Sequence, residues 1–228
     1  MSASHELEKF GPVREWLRGL EVFVGPLARF EPSDAPAEPA ELFLDWLKLA
    51  VEAGVPEPHA MTLSTLGEDG RPDARILILK HVDLRGWQFA THANSPKGCQ
   101  LANTPHAALT FYWPLQGRQV RVRGTVKPES PEQSAADLLA RAPSARAEAL
   151  LGRQSTHLDS LEQRDRDLNE ALDRIESDPD IISPHWTLYT LEPGEIEFWQ
   201  ADKGRTHTRL RYTRSDPHSP WDRHMLWS

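Results

Sequence analysis

Four consecutive aliphatic residues, Ile76-Leu77-Ile78-Leu79, stand between two cations, Arg75 and Lys80. An apolar run this short, bounded by turn residues, reads as a strand whose body is buried. The turn Gly67-Glu68-Asp69-Gly70-Arg71-Pro72 precedes it, and Arg85-Gly86 follows. A strand that begins and ends in a charge must either open to solvent at both ends or face an anion, because an uncompensated buried cation is costly. The first option is an ordinary barrel strand. The second is an anion site, with Lys97 closing it from the start of the next helix.

The neighbouring segments repeat the strand pattern. Met61 to Leu66 alternates apolar and polar, the organising strand runs from about Ala74 to Val82, and Trp87 to Thr91 forms a third strand. Ser95-Pro96 reads as an N-cap followed by proline at the first helical position, which predicts a short helix through Asn103. His106 to Trp113 and Gly117 to Val126 complete five strands. In the last of these Gln119, Arg121 and Arg123 share one face, and Val120, Val122 and Gly124 the other. Short turns and one helical insertion predict a small antiparallel barrel.

Ala40 to Gly54 precedes the strands as an amphipathic helix with Trp46 in the core. Residues 1–39 read as an irregular N-terminal arm, since prolines at 26, 32, 36 and 39 interrupt the short amphipathic pattern at Val13–Phe23. Residues 130–176 are helical in pattern, in three pieces. Strands return at His185–Leu191, Glu195–Gln200, about Thr206–Thr213 and Trp221–Trp227. These late strands are expected to complete the same sheet system, so that residues 40–228 form a single domain with a helical insertion at about 130–176. The fold class is mainly β with flanking helices.

Composition removes several functions. The net charge is −8, which disfavours a nucleic-acid binder. One cysteine, Cys99, excludes an internal disulfide framework and a cysteine metal cluster. No stretch approaches about 18 uninterrupted apolar residues, and the polar start Met1–Lys9 lacks a secretory apolar core. A cytoplasmic protein without membrane partners is the expectation. Gly-x-Ser-x-Gly, His-Glu-x-x-His, Gly-x-x-x-x-Gly-Lys-Ser/Thr and Gly-x-Gly-x-x-Gly are all missing from the sequence. No metal site is expected. What remains is a dispersed set of cations and aromatics suited to a phosphate and a planar ring.

Those residues carry a resemblance. From about Ala40 to its C-terminus the chain resembles the pyridoxamine 5′-phosphate oxidase family of FMN-binding split barrels. The motifs are ARILILK (74–80), FATHANSPKG (89–98), GRQVRVRG (117–124), GRQS (152–155), IEFWQ (196–200) and RTHTRLRY (205–212). The resemblance implies a split β-barrel, a two-fold homodimer and two FMN sites at its interface. It implies that FMN lies on the strand Arg75, Ile76, Leu77, Ile78, Leu79 and Lys80 and on Ala90, Thr91 and Lys97. Arg75, Thr91 and Lys97 would take its phosphate and ribityl chain, and Gln119 its ring. Gln154, Ser155, Trp199 and Arg209 would come largely from the other subunit. Lys80, Arg141, Arg205 and His207 would bind substrate, the last two as the catalytic pair that orients it over the flavin. The implied reaction oxidises pyridoxamine or pyridoxine 5′-phosphate to pyridoxal 5′-phosphate, with O2 becoming H2O2.

The resemblance is incomplete at the substrate end. The family's tyrosine and serine in the phosphate pocket fall on Asp137 and Ala145, and Pro96 replaces an arginine. The chain ends Met225-Leu226-Trp227-Ser228 rather than Arg-Leu-x-Pro. FATHANSPKG and LRYTRSD also resemble the phenazine-biosynthesis branch, from which Lys80 departs. Two other readings stay open: an oxidase of another reduced ring, and a flavin or pyridoxal-phosphate binder without activity. A deazaflavin also suits a split barrel, but the Arg-x-His-x-Arg signature favours FMN.

Overall fold

The computed structural model describes residues 12–228, so the start of the N-terminal arm, including the polar segment 1–9, lies outside the described residues. Nine strands form one antiparallel sheet: β1 (Ala60–Leu66), β2 (Pro72–Ile78), β3 (His81–Val82), β4 (Trp87–His92), β5 (His106–Trp113), β6 (Arg118–Pro128), β7 (Trp186–Gln200), β8 (Thr208–Thr213) and β9 (Asp222–Met225). The strand order is β2-β1-β5-β6-β7-β4-β3, with β8 on β7 and β9 on β8. The two ends of that path, β2 and β3, are consecutive in the chain.

The organising strand is therefore not continuous to Val82. It stops at Ile78 and changes partner. The Leu79 N–H donates to His59 O on the β1 side (2.9 Å), and the Lys80 N–H donates to Gln88 O on the β4 side (2.8 Å). This two-residue step closes the barrel. It also cancels the strand-parity argument that would put Arg75 and Lys80 on opposite faces, because parity holds only within one strand.

Strand β7 corrects a second expectation. Pro193-Gly194 reads as a break between two strands, yet β7 runs unbroken for 15 residues. Its Tyr189–Gln200 portion pairs with β6. Its other edge is shared, Trp186–Leu191 pairing with β4 and Glu195–Gln200 with β8. Opposite Arg123 and Gly124 of β6 the register shifts, with Gly194 as the extra, unpaired residue of β7. A Cβ on Gly124 would stand 1.9 Å from Glu192 O, so only glycine permits the approach.

Helix α1 (Pro39–Glu52) packs on the barrel. Phe43 meets Phe111 and Trp87 at ring separations of 4.8 and 5.4 Å, and Trp46 meets Phe198 at 5.2 Å. Trp46 is core, as its helical spacing predicts. The described part of the arm lies along the barrel: Phe30 packs on Trp46, and the Tyr212 hydroxyl donates to Pro36 O at 2.8 Å. Helix α2 (Pro96–Asn103) starts as read, with Ser95 Oγ accepting from the Gly98 N–H. Between β6 and β7 come α3 (Pro131–Leu139), α4 (Pro143–Leu151) and α5 (Leu161–Ser177). The last two share a small core of Ala147, Ala171 and Ile175. Among the described residues no helix is long and apolar enough to cross a membrane.

Candidate active site

A cavity of about 750 Å³ opens between β2, β4 and the three-helix segment. Its lining includes Ile76, Leu77, Ile78 and Lys80 from the organising strand, Ala90 and Thr91 from β4, and Arg141, Gln154 and Ser155 from the helical segment. Ile76 is 64% exposed, an apolar side chain left without cover in one chain. Leu79 departs from the expected set: it turns into the core, 9% exposed, and does not line the cavity.

One end of the site is built on a helix start. Lys97, at the second position of α2, is 6% exposed. Its Nζ donates to Gln154 Oε1 at 2.8 Å, and Thr91 Oγ1 donates to the same oxygen at 3.4 Å. Gln154 is thus already beside Lys97 and Thr91 within one chain, where the resemblance implies that it arrives from the other subunit. Burial, and then Arg75 nearby, push the Lys97 ammonium below its ordinary pKa. Arg75 donates to Thr65 Oγ1 (2.6 Å), Leu63 O (3.3 Å) and Gln100 Oε1 (3.2 Å), and pairs with Asp73. Lys97 therefore donates to a neutral acceptor, with Arg75 and its partner Asp73 nearby, at a helix N-terminus. A buried ammonium in that position fits an anionic group such as a phosphate.

His92 flanks this end, and sequence reasoning missed it. It lines the cavity, 6% exposed, with Nδ1 buried and unpartnered. Burial, His185 and Lys97 all lower its pKa, which favours the neutral ring. Gly152, at φ +61°, is pressed against it; a Cβ there would stand 2.6 Å from His92 Nε2. A histidine directly after Thr91 in the FATHANSPKG segment was the only signal available for it.

The other wall carries Lys80 and Arg141. Lys80 Nζ lies 3.4 Å from Asp137 Oδ1 on α3. Asp137 Oδ2 accepts the Trp186 indole N–H at 2.9 Å, and the Arg141 guanidinium stacks over the Trp186 ring at 4.4 Å. Arg141 Nε is buried without a partner. Ala145 lines the same cavity. Trp186 joins the three residues of this wall and was not singled out in the sequence.

The remaining candidates form a second cluster. Gln119, Trp199 and Arg209 are register neighbours across β6, β7 and β8, which puts them side by side on one face. Arg209 makes two bonds to Glu197, at 3.1 and 3.0 Å, and one to Trp227 O. His207 packs on Trp199 with ring centroids 4.8 Å apart, and its Nδ1 accepts the Asp202 N–H at 3.0 Å. Phe23 of the arm touches both rings at 5.9 Å. Arg205 adopts φ +65° in the turn before β8 and borders a surface hollow with residues 21–25. None of Gln119, Trp199, Arg205, His207 or Arg209 lines the large cavity. In one chain these candidates thus form a cluster separate from the large cavity.

Residues 47–170 match the family model described as pyridoxamine 5′-phosphate oxidase, and residues 186–228 match the pyridoxine 5′-phosphate oxidase C-terminal dimerisation region. A pyridoxine/pyridoxamine 5′-phosphate oxidase of Paraburkholderia phytofirmans is 42% identical over 198 residues, covering 86% of this chain and 91% of that protein. One from Burkholderia vietnamiensis is 43% identical over 192 residues, covering 83% and 88%. Among solved structures, PhzG from Burkholderia lata, in complex with tetrahydrophenazine-1-carboxylic acid, superposes with a TM-score of 0.81 at 31% identity, covering 90% of this chain and all of that one. A pyridoxamine 5′-phosphate oxidase-related FMN-binding protein of Nostoc punctiforme shares the fold, with a TM-score of 0.64 at 18% identity over 80% of this chain and 95% of its own. The chain belongs to the pyridoxamine 5′-phosphate oxidase family and is an oxidoreductase with that family's barrel.

Proposed function

We propose that this chain is an FMN-dependent oxidase that works as a homodimer and oxidises a small reduced nitrogen heterocycle with O2, forming H2O2. The observation that carries this reading is the buried Lys97 at a helix start, whose Nζ donates to the Gln154 side-chain oxygen that Thr91 also bonds, with Arg75 close by. That donor set fits the phosphate of FMN. Bound there, FMN would supply the hydride acceptor and the route for electrons to dioxygen.

The protein's part is position and charge. Lys97, Arg75, Thr91, Gln154 and Ser155 hold the phosphate end. Gln119, Trp199 and Arg209 supply the face that meets the ring, and in a two-fold dimer this second half-site of one chain completes the first half-site of its partner. The match of residues 186–228 to a dimerisation region supports that arrangement, as do the uncovered Ile76 and Ile78. Arg205 and His207 orient the substrate. Because His207 Nδ1 accepts the Asp202 N–H, the neutral imidazole carries its proton on Nε2 and presents a donor to the substrate. Lys80 and Arg141 face the substrate's anionic group from the other wall.

The relatives' names point to pyridoxamine or pyridoxine 5′-phosphate as substrate. Asp137 on Lys80 favours a second reading, a reduced ring acid of the kind named with the Burkholderia lata protein. Anaerobic addition of pyridoxine 5′-phosphate to the FMN-loaded protein tests the first reading. Bleaching of the flavin band, reversed by air with peroxide released, supports the vitamin B6 oxidase. A flavin that stays oxidised leaves an oxidase with another substrate. A protein that does not bind FMN overturns the proposal.

A further inference from the structure

Arg118 is a buried cation that lines neither the cavity nor the hollow beside Arg205. It opens β6 and is 3% exposed. Among the described residues no carboxylate acts on it, and burial alone lowers its pKa, to about 10. Its guanidinium lies over the Trp46 ring at 4.3 Å, and its Nε donates to Gln200 Oε1 at 2.8 Å. A buried charge without a counter-charge is destabilising, and an apolar side chain packed on Trp46 would be less so. Gln200 is its register partner at the end of β7 and is buried in turn. The Gln200 Nε2 donates to Gln116 O at 3.0 Å and to Gly117 O and Ala201 O at 3.4 Å, while the Ala201 N–H donates to Gly117 O at 2.7 Å. The two side chains thus clamp the end of β7 onto the turn before β6.

The loop that leaves this clamp carries Arg205 and His207. Asp202 Oδ1 accepts from the Gly204 N–H (2.7 Å), the Thr206 N–H (3.3 Å) and the Thr206 hydroxyl (2.9 Å), and the Arg205 N–H donates to Asp202 O at 3.0 Å. The turn so formed holds Arg205 at φ +65°, a conformation that persists in a non-glycine residue only where its surroundings over-determine it. The Asp202 N–H donates to His207 Nδ1, and Asp202 lies two residues beyond Gln200. The direction of that N–H, and with it the His207 ring, follows from where the clamp fixes Ala201. We propose that Arg118 and Gln200 are positioning residues: their clamp fixes the loop 201–207 so that His207 keeps its Nε2 proton toward the substrate side. The proposal rests on the orienting role given to Arg205 and His207, but the hold on His207 can be read without flavin or substrate.

The test is the imidazole nitrogen NMR spectrum of the full chain, recorded well above the ordinary histidine pKa, with the His207 signals identified by their loss in His207→Gln. Wild type is expected to show one tautomer, protonated at Nε2. Arg118→Met is expected to move both nitrogens toward the averaged positions of mixed tautomers. It is also expected to speed hydrogen exchange of the Asp202 amide by about tenfold, on the scale of one lost hydrogen bond. Gln200→Glu gives Arg118 a counter-charge and removes the Nε2 donor, so it is expected to fold even where Arg118→Met does not, and to shift His207 in the same way. Arg118→Lys keeps a cation on Trp46 and a donor for Gln200, and is expected to return the wild-type signature. A mixed tautomer in wild type, or a wild-type signature in both Arg118→Met and Gln200→Glu, overturns the proposal. Failure of the chain to bind FMN instead overturns the oxidase reading, and the His207 spectrum of the FMN-free chain still decides whether the clamp holds the ring.

Discussion

Lys97 is the residue on which the cofactor reading turns. Its ammonium is buried and meets a neutral amide, so its pKa lies below the ordinary lysine value before any anion arrives. A bound phosphate restores the opposing charge and raises that pKa again. Binding in the window between the two values takes up a proton, so FMN affinity must fall as pH rises through it. Fluorescence titration at rising pH, up to the ordinary lysine pKa, is expected to show that decline in wild type and a flatter profile in Lys97→Met. The same variant is expected to lose about tenfold or more in affinity at pH 8, since a hydrogen bond to a charged partner contributes about 1.5–3 kcal/mol. Arg75→Ala is expected to act in the same direction by about tenfold, by the same reasoning; a variant that titrates like wild type would remove Arg75 from the phosphate end. That Arg75, Thr91 and Lys97 stand together was legible in the sequence because they lie in compact segments, 74–80 and 89–98. The pairing of Asp137 with Lys80 was not, because it joins positions 57 apart through Trp186, a further 49 residues on.

Elements were readable where their signals were local. Ser95-Pro96 and Ser130-Pro131 mark the starts of α2 and α3, and both serines cap as expected. The strand pattern from Met61 to Val126 was legible as alternation. Two features were hidden because they depend on a neighbouring strand. Pro193-Gly194 reads as a break, but a bulge at Gly194 lets the ladder with β6 continue on both sides of it. The partner switch at Leu79–Lys80 is invisible in an unbroken aliphatic run. The bulge makes a prediction. Gly124→Val places a Cβ against Glu192 O and is expected to cost about 1–3 kcal/mol or more in urea unfolding. Gly194→Ala, whose nearest neighbour for a Cβ is Arg214 O at 4.0 Å, is expected to cost less than about 1 kcal/mol. Equal costs would mean that the bulge does not depend on glycine.

At the scale of the whole molecule, the separation of the two clusters within one chain sets a test of the proposed dimeric site. The cavity with Lys97 and Lys80 and the face with Trp199 and His207 do not share a lining. Two impaired variants, Lys97→Met and His207→Ala, assayed at an FMN concentration that fills wild type but not Lys97→Met, are therefore expected to complement each other when mixed, unfolded and refolded together. In a two-fold dimer half of the molecules would be hybrids, each with one intact site, so activity would recover to about a quarter of wild type. No recovery would mean that each site is built within one chain.

The partner switch between β2 and β3 also orders events in time. The ring closes only when β7 sits between β6 and β4, and its contacts with β4, such as Trp87 with Leu191, span about a hundred residues of chain. A nascent chain emerging from the ribosome can pair β1, β2, β5 and β6 early, but β4 and β6 stay open as sheet edges until the helices at 131–177 and then β7 have been made. The helical insertion is thus also a delay. During synthesis the chain passes through a stage with unpaired edges, and that stage ends with a single strand.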